Sequence, residues 1–178
     1  MPFLRPALCC RRITDLTAEQ LRTCSRLPVR LLLLDVDNTL SRHGEKEPAP
    51  GVEAWVRGME QAGFLLLILS NNTKKRVAPF AAKLGIPFLS RCAKPLPLCY
   101  LLACRRMGVK RQEAVLIGDQ VFTDVLGGCA CKMATVLLEP IEKETSWSFR
   151  LRRQWEEPYR QRFGELDHQN KMRKDDNV

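Results

Sequence analysis

Leu31-Leu32-Leu33-Leu34-Asp35-Val36-Asp37-Asn38-Thr39 joins a continuous apolar run to an acidic turn. An apolar run without alternation predicts a strand buried on both faces of a parallel sheet, so its carboxyl end is where the first polar side chains emerge. Side chains alternate along extended backbone, so Asp35 and Asp37 are expected to point the same way. Two like charges in that position repel unless a cation or a shared proton sits between them. Taken alone, the same residues also fit an Asx turn that caps the next segment.

Outward from this stretch the chain alternates apolar runs with helical patterns. Upstream, Thr17-Ala-Glu-Gln20 has the form of a capping box, which predicts a short helix, and Pro28 closes that lead-in. Downstream comes a polar loop from Ser41 to Pro50, then a helix from about Val52 to Ala62 stopped by Gly63. Phe64 to Leu69 reads as the second buried strand. Ser70-Asn71-Asn72-Thr73 opens a helix running to Leu84 with Gly85 as its stop, and Ile86 to Leu89 reads as a third strand. Pro95 suits the first turn of a helix that reaches Met107 and halts at Gly108. Ala114 to Ile117 is a fourth strand ending at Gly118-Asp119, a helical turn through Cys129 follows, and Ala134 to Leu138 is a fifth. Strands and helices at this spacing predict a doubly wound α/β sheet.

The 178 residues fit one domain without internal repeats. An excess of 29 Lys and Arg over 20 Asp and Glu gives +9, which suits anionic partners: phosphorylated metabolites, nucleic acid or an anionic membrane. The longest apolar runs, Leu31 to Leu34 and Phe64 to Leu69, fall far short of the roughly 20 residues a membrane span needs. Met1 to Arg12 lacks a hydrophobic signal core, so a cytoplasmic protein is expected. The eight cysteines form no Cys-x-x-Cys and have no nearby His, which argues against zinc or a disulfide framework. They are expected as small buried hydrophobes in a reducing compartment.

Four polar elements fall at predicted strand ends or helix starts: Asp35 with Asp37, Ser70, Lys94, and Asp119 with Asp124. In open α/β sheets ligands bind outside the carboxyl ends of the strands, so these separate segments can converge on one site. Phosphoryl transfer needs a nucleophile, charge neutralisation on the phosphate oxygens and a proton donor for the leaving oxygen. Asp35 is placed to attack phosphorus and Asp37 to protonate the leaving group and then activate water. Two carboxylates beside a phosphate need a cation, and Mg²⁺ is the usual oxygen-loving choice, with Asp119 as a further ligand and Asp124 fixing the ion or its waters. One by one, Ser70 also reads as a helix N-cap, Lys94 as an exposed lysine, and Asp119 with Asp124 as a cap and a solvated helix residue.

In this order, Asp35-Val-Asp37-Asn-Thr39, Ser70, Lys94 and Gly118-Asp119-Gln-Val-Phe-Thr-Asp124 resemble the four motifs of the haloacid dehalogenase superfamily of phosphohydrolases. Aspartate at position 37 is similar to the phosphatase branch. Within it, Ser70-Asn71-Asn72, Lys94-Pro95 and the Gly118 to Gly128 segment resemble the small YqeG-type group of subfamily IIIA, related to phosphatidylglycerophosphate phosphatases. The resemblance covers about Ile13 to Arg153; Cys129-Ala-Cys131 departs from it beyond the last motif. It implies a Rossmann-like, HAD-type, doubly wound and mainly parallel sheet. It makes Asp35 nucleophile and metal ligand, Asp37 acid/base and metal ligand through its carbonyl, and Asp119 the last metal ligand. Ser70, Asn71 and Lys94 become phosphate holders, with Thr39 and Asp124 in support.

Residues 1–28 then form a lead-in, 29–140 the catalytic core, 141–163 a C-terminal helix and 164–178 a frayed tail that includes His168. Many relatives insert a substrate-selecting cap between motifs, and neither gap here has room for one, so an exposed site is expected. Trp147, Leu151, Trp155 and Tyr159 recur beside Arg150, Arg152, Arg153, Arg160 and Arg162, a basic amphipathic pattern that Pro158 should interrupt. Such a helix either lies on an anionic membrane or packs its aromatics on the sheet with its arginines in solvent. The leading expectation is a Mg²⁺-dependent phosphomonoesterase acting through phospho-Asp35 on phosphatidylglycerophosphate or another exposed, macromolecular phosphate. A small-metabolite phosphatase and a non-catalytic phosphate- or RNA-binding module are the rivals. No nucleic-acid partner is expected, and the oligomeric state is left open.

Overall fold

The computed structural model describes residues 4–142, 151 and 153–163. Along the chain run β1 (Leu8–Cys10), α1 (Ala18–Arg22), β2 (Leu31–Leu34), α2 (Val52–Gln61), β3 (Leu65–Leu69) and α3 (Lys74–Leu84). There follow β4 (Phe88–Leu89), α4 (Leu98–Met107), β5 (Ala114–Gly118), a π-helical turn over Val121–Val125, α5 (Leu126–Ala130) and β6 (Ala134–Leu138). A further helix, α6, spans 153–163.

Among the described residues the strands form one sheet in the order β1-β6-β5-β2-β3-β4, and every pairing is parallel. All four leucines of β2 are fully buried, and their alternation shows why the run has no polar member. Leu32 and Leu34 pack with Trp55 and Val56 of α2 and Val77 and Phe80 of α3. Leu31 and Leu33 pack on the opposite face with Tyr100 and Ala103 of α4. Burying each leucine contributes roughly 1.5–3 kcal/mol, so the central strand is held from both layers. From β2 the chain moves to β3 and β4 on one side, then crosses to β5 on the other. The carboxyl ends of β2 and β5 therefore flank the point where the strand order reverses. The ladder runs on past β2, since Asp35 donates its N–H to the Ile117 carbonyl at 3.0 Å.

The doubly wound α/β expectation holds, and local departures have identifiable causes. β1 was not expected before Leu31; its apolar run, Leu8-Cys9-Cys10, is only three residues long and takes its place by pairing with β6. α1 carries the predicted capping box, with Thr17 accepting from the Gln20 N–H. The third expected strand shortens to Phe88–Leu89, because Ile86 packs into the core instead. α4 starts at Leu98 with Pro97 as its N-cap, later than Pro95, which follows a cis peptide bond. Arg91 and Ala93 take left-handed φ values of 54° and 51°, so the chain bends through this loop before it can coil.

That bend brings Cys92 and Cys99 together as a disulfide with Cα atoms 5.2 Å apart, a correction to their reading as simple apolar side chains. Cys104 and Cys131 are free and buried as expected. The helix over 153–163 also runs through Pro158, where an interruption was expected. Contacts of Glu156 before the proline and of Arg160 and Phe163 after it hold both flanks. Trp147, Arg150, Arg152 and the expected tail from 164 onward lie outside the described residues. No helix among the described residues is long and apolar enough to cross a membrane.

Candidate active site

The two central strands deliver their acids to one end of the sheet. β2 ends in Asp35 and β5 in Gly118-Asp119, and both side chains are buried. Asp124 joins them from the π-helical turn, its Oδ2 accepting the Gln120 N–H at 3.2 Å. A side chain at position 118 would collide with the Asp124 carboxyl, so the close approach of turn to strand requires glycine there. Carboxylate oxygens of Asp35, Asp119 and Asp124 lie within 4.8 Å of one another.

Lys94 enters this cluster from the loop before α4. Its Nζ pairs with Asp35 Oδ1 and, at 2.7 Å, with Asp124 Oδ1. The side chain of Asn71 holds that loop, its Oδ1 accepting the Lys94 N–H at 2.7 Å and its Nδ2 donating to the Lys94 carbonyl at 3.4 Å. Asn71, expected at the phosphate, thus has both ends of its amide engaged on the Lys94 backbone. Ser70 lies buried at the end of β3, where its Oγ accepts the Asn72 N–H at 3.1 Å. Thr39 is also buried, and its Oγ1 has no hydrogen-bond partner among the described residues.

Asp37 does not join the other three acids. Its carboxylate accepts from Asn72 Nδ2, from Arg76 Nη2 at 3.3 Å and from the Gly44 N–H at 3.0 Å. The repulsion expected between Asp35 and Asp37 is relieved by separate partners, Lys94 for one and Arg76 for the other.

The electrostatics show a cluster short of positive charge. Burial pushes the Asp35 carboxyl up to about 8; Lys94 pulls against that rise, and Asp124 and Asp119 reinforce it. Burial likewise raises Asp119 to about 6, opposed first by Arg153 and reinforced by Asp124. Burial alone would lower the Lys94 ammonium, yet Asp124 and Asp35 outweigh it and hold the group above its ordinary range. Asp119 Oδ1 is buried and has no hydrogen-bond partner among the described residues, although Oδ2 is engaged by Arg153. Three convergent carboxylates, with the buried Oδ1 of Asp119 unclaimed among the described residues, form a hard, anionic donor set that fits a divalent cation.

Residues outside the expected set complete the site. Asn72 and Arg76 sit just beyond Ser70 and could have been suspected from that position alone. Arg153 and Arg160 were expected to face lipid or solvent, and Glu156 was not singled out. Instead Arg153 and Arg160 reach Asp119, and Glu156 is fully buried between them. The sequence signal was the acid itself, three and four residues from its two arginines. The aromatic stripe divides as well: Tyr159 packs edge-on against Phe122 at 5.6 Å, whereas Trp155 is 68% exposed.

Residues 11–131 match the haloacid dehalogenase-like hydrolase family. The chain is 34% identical over 154 residues to the Probable phosphatase YqeG of Bacillus subtilis (strain 168), a match that covers 86% of this chain and 88% of that protein. Among solved structures, an uncharacterized protein from Listeria monocytogenes serotype 4b has a TM-score of 0.56 at 14% identity, covering 66% of this chain and 85% of that one. The cobalt-bound deoxy-D-mannose-octulosonate 8-phosphate phosphatase of Haemophilus influenzae has a TM-score of 0.52 at 18% identity, covering 62% and 68%. Identities this low speak for the shared fold alone. With its parallel sheet reversing between Asp35 and Asp119, and with sequence matched across that site, the chain belongs to the haloacid dehalogenase-like hydrolases as a phosphatase of the YqeG type.

Proposed function

We propose that the chain is a Mg²⁺-dependent phosphomonoester hydrolase that works through a phospho-Asp35 intermediate. The observation that carries this reading is the convergence of Asp35, Lys94, Asp124 and Asp119 at the strand-order reversal. In the first step a carboxylate oxygen of Asp35 bonds to phosphorus as the bond from phosphorus to the alcohol oxygen breaks, and that oxygen takes a proton from Asp37. In the second, Asp37 removes a proton from water, the water oxygen bonds to phosphorus, the bond from phosphorus to the Asp35 carboxylate oxygen breaks and inorganic phosphate leaves. Ser70 and Lys94 hold the phosphate oxygens, and Asn71 keeps Lys94 in place through its backbone. Asp35, Asp119 and the Asp37 carbonyl would hold Mg²⁺, with Asp124 in support, and the ion when bound supplies positive charge against the phosphate.

The substrate we favour is phosphate on an exposed, amphiphilic carrier, phosphatidylglycerophosphate being the example the family resemblance offers. Among the described residues no domain is inserted between β2 and β5, whose connections hold α2, β3, α3, β4, α4 and a 3₁₀ turn over Arg111–Glu113. Beside Lys94, Leu96 and Leu98 are 60% and 76% exposed, and Leu101 and Leu102 continue the apolar face along α4. Residues 90–112 contain Arg91, Arg105, Arg106, Lys110 and Arg111 and no Asp or Glu. An apolar, basic surface beside the nucleophile suits an anionic lipid interface, and it replaces the C-terminal helix as the membrane contact we favour.

Phosphate release from phosphatidylglycerophosphate in anionic vesicles tests the reading. Wild type is expected to release phosphate with Mg²⁺ and to stop with chelator or with Asp35→Asn. Turnover of soluble esters in preference to the vesicles would favour a small-metabolite phosphatase. No turnover of either by folded wild type would favour the non-catalytic binding module.

A further inference from the structure

The helix over 153–163 lies beyond the family match at 11–131, yet two of its arginines donate hydrogen bonds to Asp119. Arg153 grips Asp119 twice, donating from Nη1 to its carbonyl at 2.7 Å and from Nη2 to its carboxylate Oδ2. Arg160 donates to the same carbonyl and, from Nη1, to the Leu138 carbonyl at 3.1 Å. Glu156 binds the two arginines together, at 3.0 Å to Arg153 Nη1 and 3.8 Å to Arg160 Nε. Its other oxygen accepts the Phe122 N–H at 3.2 Å, which ties the helix to the turn that carries Asp124. Phe163 anchors the far end in an apolar cluster with Leu4, Val121, Val125 and Leu137.

We infer that Arg153, Glu156 and Arg160 are positioning residues of the active site, which orient Asp119 so that its Oδ1 is presented to the divalent ion. This rests on the proposal that Asp119 holds that ion. Two features favour it over simple attachment of the helix. A fork that takes the backbone carbonyl and one carboxylate oxygen of the same residue fixes the side-chain torsion and leaves the second oxygen free, which is how partners behind a metal ligand act. A buried ionic cluster is also a poor choice for attachment alone, because desolvating its charges offsets most of their attraction and apolar side chains would hold as well. Glu156, with no exposed surface, carries that desolvation cost directly. The Tyr159 and Phe163 contacts already supply apolar attachment.

The test is Mg²⁺ binding by isothermal titration calorimetry on the full chain, with melting temperature in chelator as the measure of fold. Wild type is expected to bind one ion and Asp119→Asn to lose it. Arg153→Met is expected to weaken binding by about tenfold or more. Arg153→Lys, which keeps the charge and loses the fork, is expected to recover part of that affinity. A merely structural Arg153 would lower the melting temperature and leave the affinity of the folded protein unchanged, and that result overturns the inference. Tighter binding by Arg153→Met would overturn it differently, by making the guanidinium a competitor for the ion. If Arg153→Met does not fold, Arg153→Lys decides: weaker binding supports the inference and wild-type affinity overturns it. Wild type that binds no Mg²⁺, or Asp119→Asn that binds like wild type, would instead sink the proposed metal role of Asp119, and the inference with it.

Discussion

Asp35 and Asp119 leave adjacent strands at the same end of the sheet, yet they are held in opposite ways. Asp35 takes its cation from Lys94, a residue on a loop that Asn71 and the Cys92–Cys99 bridge shape from nearby. Asp119 takes its cation from Arg153, on a helix packed across the edge of the π-helical turn and outside the matched family segment. One half of the site is therefore built from residues of the parallel core, and the other half depends on a distal segment. The difference separates what the parallel core provides from what the segment after β6 adds to it.

The largest effect is expected on the Asp35 side. Lys94→Met leaves the Asp35 and Asp124 carboxylates buried without their shared cation, and breaking a buried pair in this way costs about 3–5 kcal/mol. Turnover should fall by roughly 10²–10³-fold as the positive charge on the phosphate is lost. Urea unfolding and steady-state rates measure the two losses. A stable variant with near wild-type turnover would mean that Lys94 is not the counter-charge of the site.

An effect confined to stability, with no change at Lys94, should appear with pH. In the folded protein without metal, burial pushes the Asp35 carboxyl up to about 8 against the pull of Lys94, whereas its value in the unfolded chain is near 3.8. Between those values the folded state binds more protons, so this group's contribution to stability falls as pH rises from about 4 to about 8 and levels off above. Wild type in chelator should lose stability relative to Asp35→Asn across that window, measured by urea unfolding at each pH. A gap that moves the other way would show that Lys94 outweighs burial.

On the Asp119 side, Gly118→Ala tests how closely strand and turn must approach. The added methyl meets the Asp124 carboxyl, and relieving it should cost about 1–3 kcal/mol. Because Asp124 also pairs with Lys94, the strain should appear in turnover as well as in stability. Unchanged unfolding and unchanged rates would mean that the turn adjusts freely.

These two halves also differ in how much of them the sequence showed. β2, β3 and β5 were legible because strands covered on both faces must be continuous apolar runs, and Asp35 and Asp119 followed from where those runs stop. β1 was not, because three residues flanked by Arg5 and Arg11 become a strand only against β6, more than a hundred residues away. The late start of α4 and the Cys92–Cys99 bridge arise from left-handed backbone at Arg91 and Ala93, where the side chains give no glycine signal. Arg153 and Arg160 were misassigned for a physical reason: arginine on a helix is usually solvated, and only the depth of Glu156 reveals that these two are turned inward.

The smallest effects should fall within α6 itself, between its two aromatic residues. Tyr159 packs edge-on against Phe122 and against Phe163, so Tyr159→Ala removes an aromatic contact worth about 0.5–1.5 kcal/mol. Trp155 is 68% exposed, and Trp155→Ala should change stability by less than about 0.5 kcal/mol. Thermal unfolding of the two variants compares them directly. Equal losses would mean that Trp155 is buried in solution, by a second copy or by a part of the chain beyond the described residues, and the helix would then be held by more than Tyr159, Phe163 and the ionic cluster around Asp119. A loss confined to Tyr159 leaves the seat of the helix on the π-helical turn, the same turn that presents Asp124, so its aromatic anchor and Glu156, which ties the two arginines together, act on one element of the site.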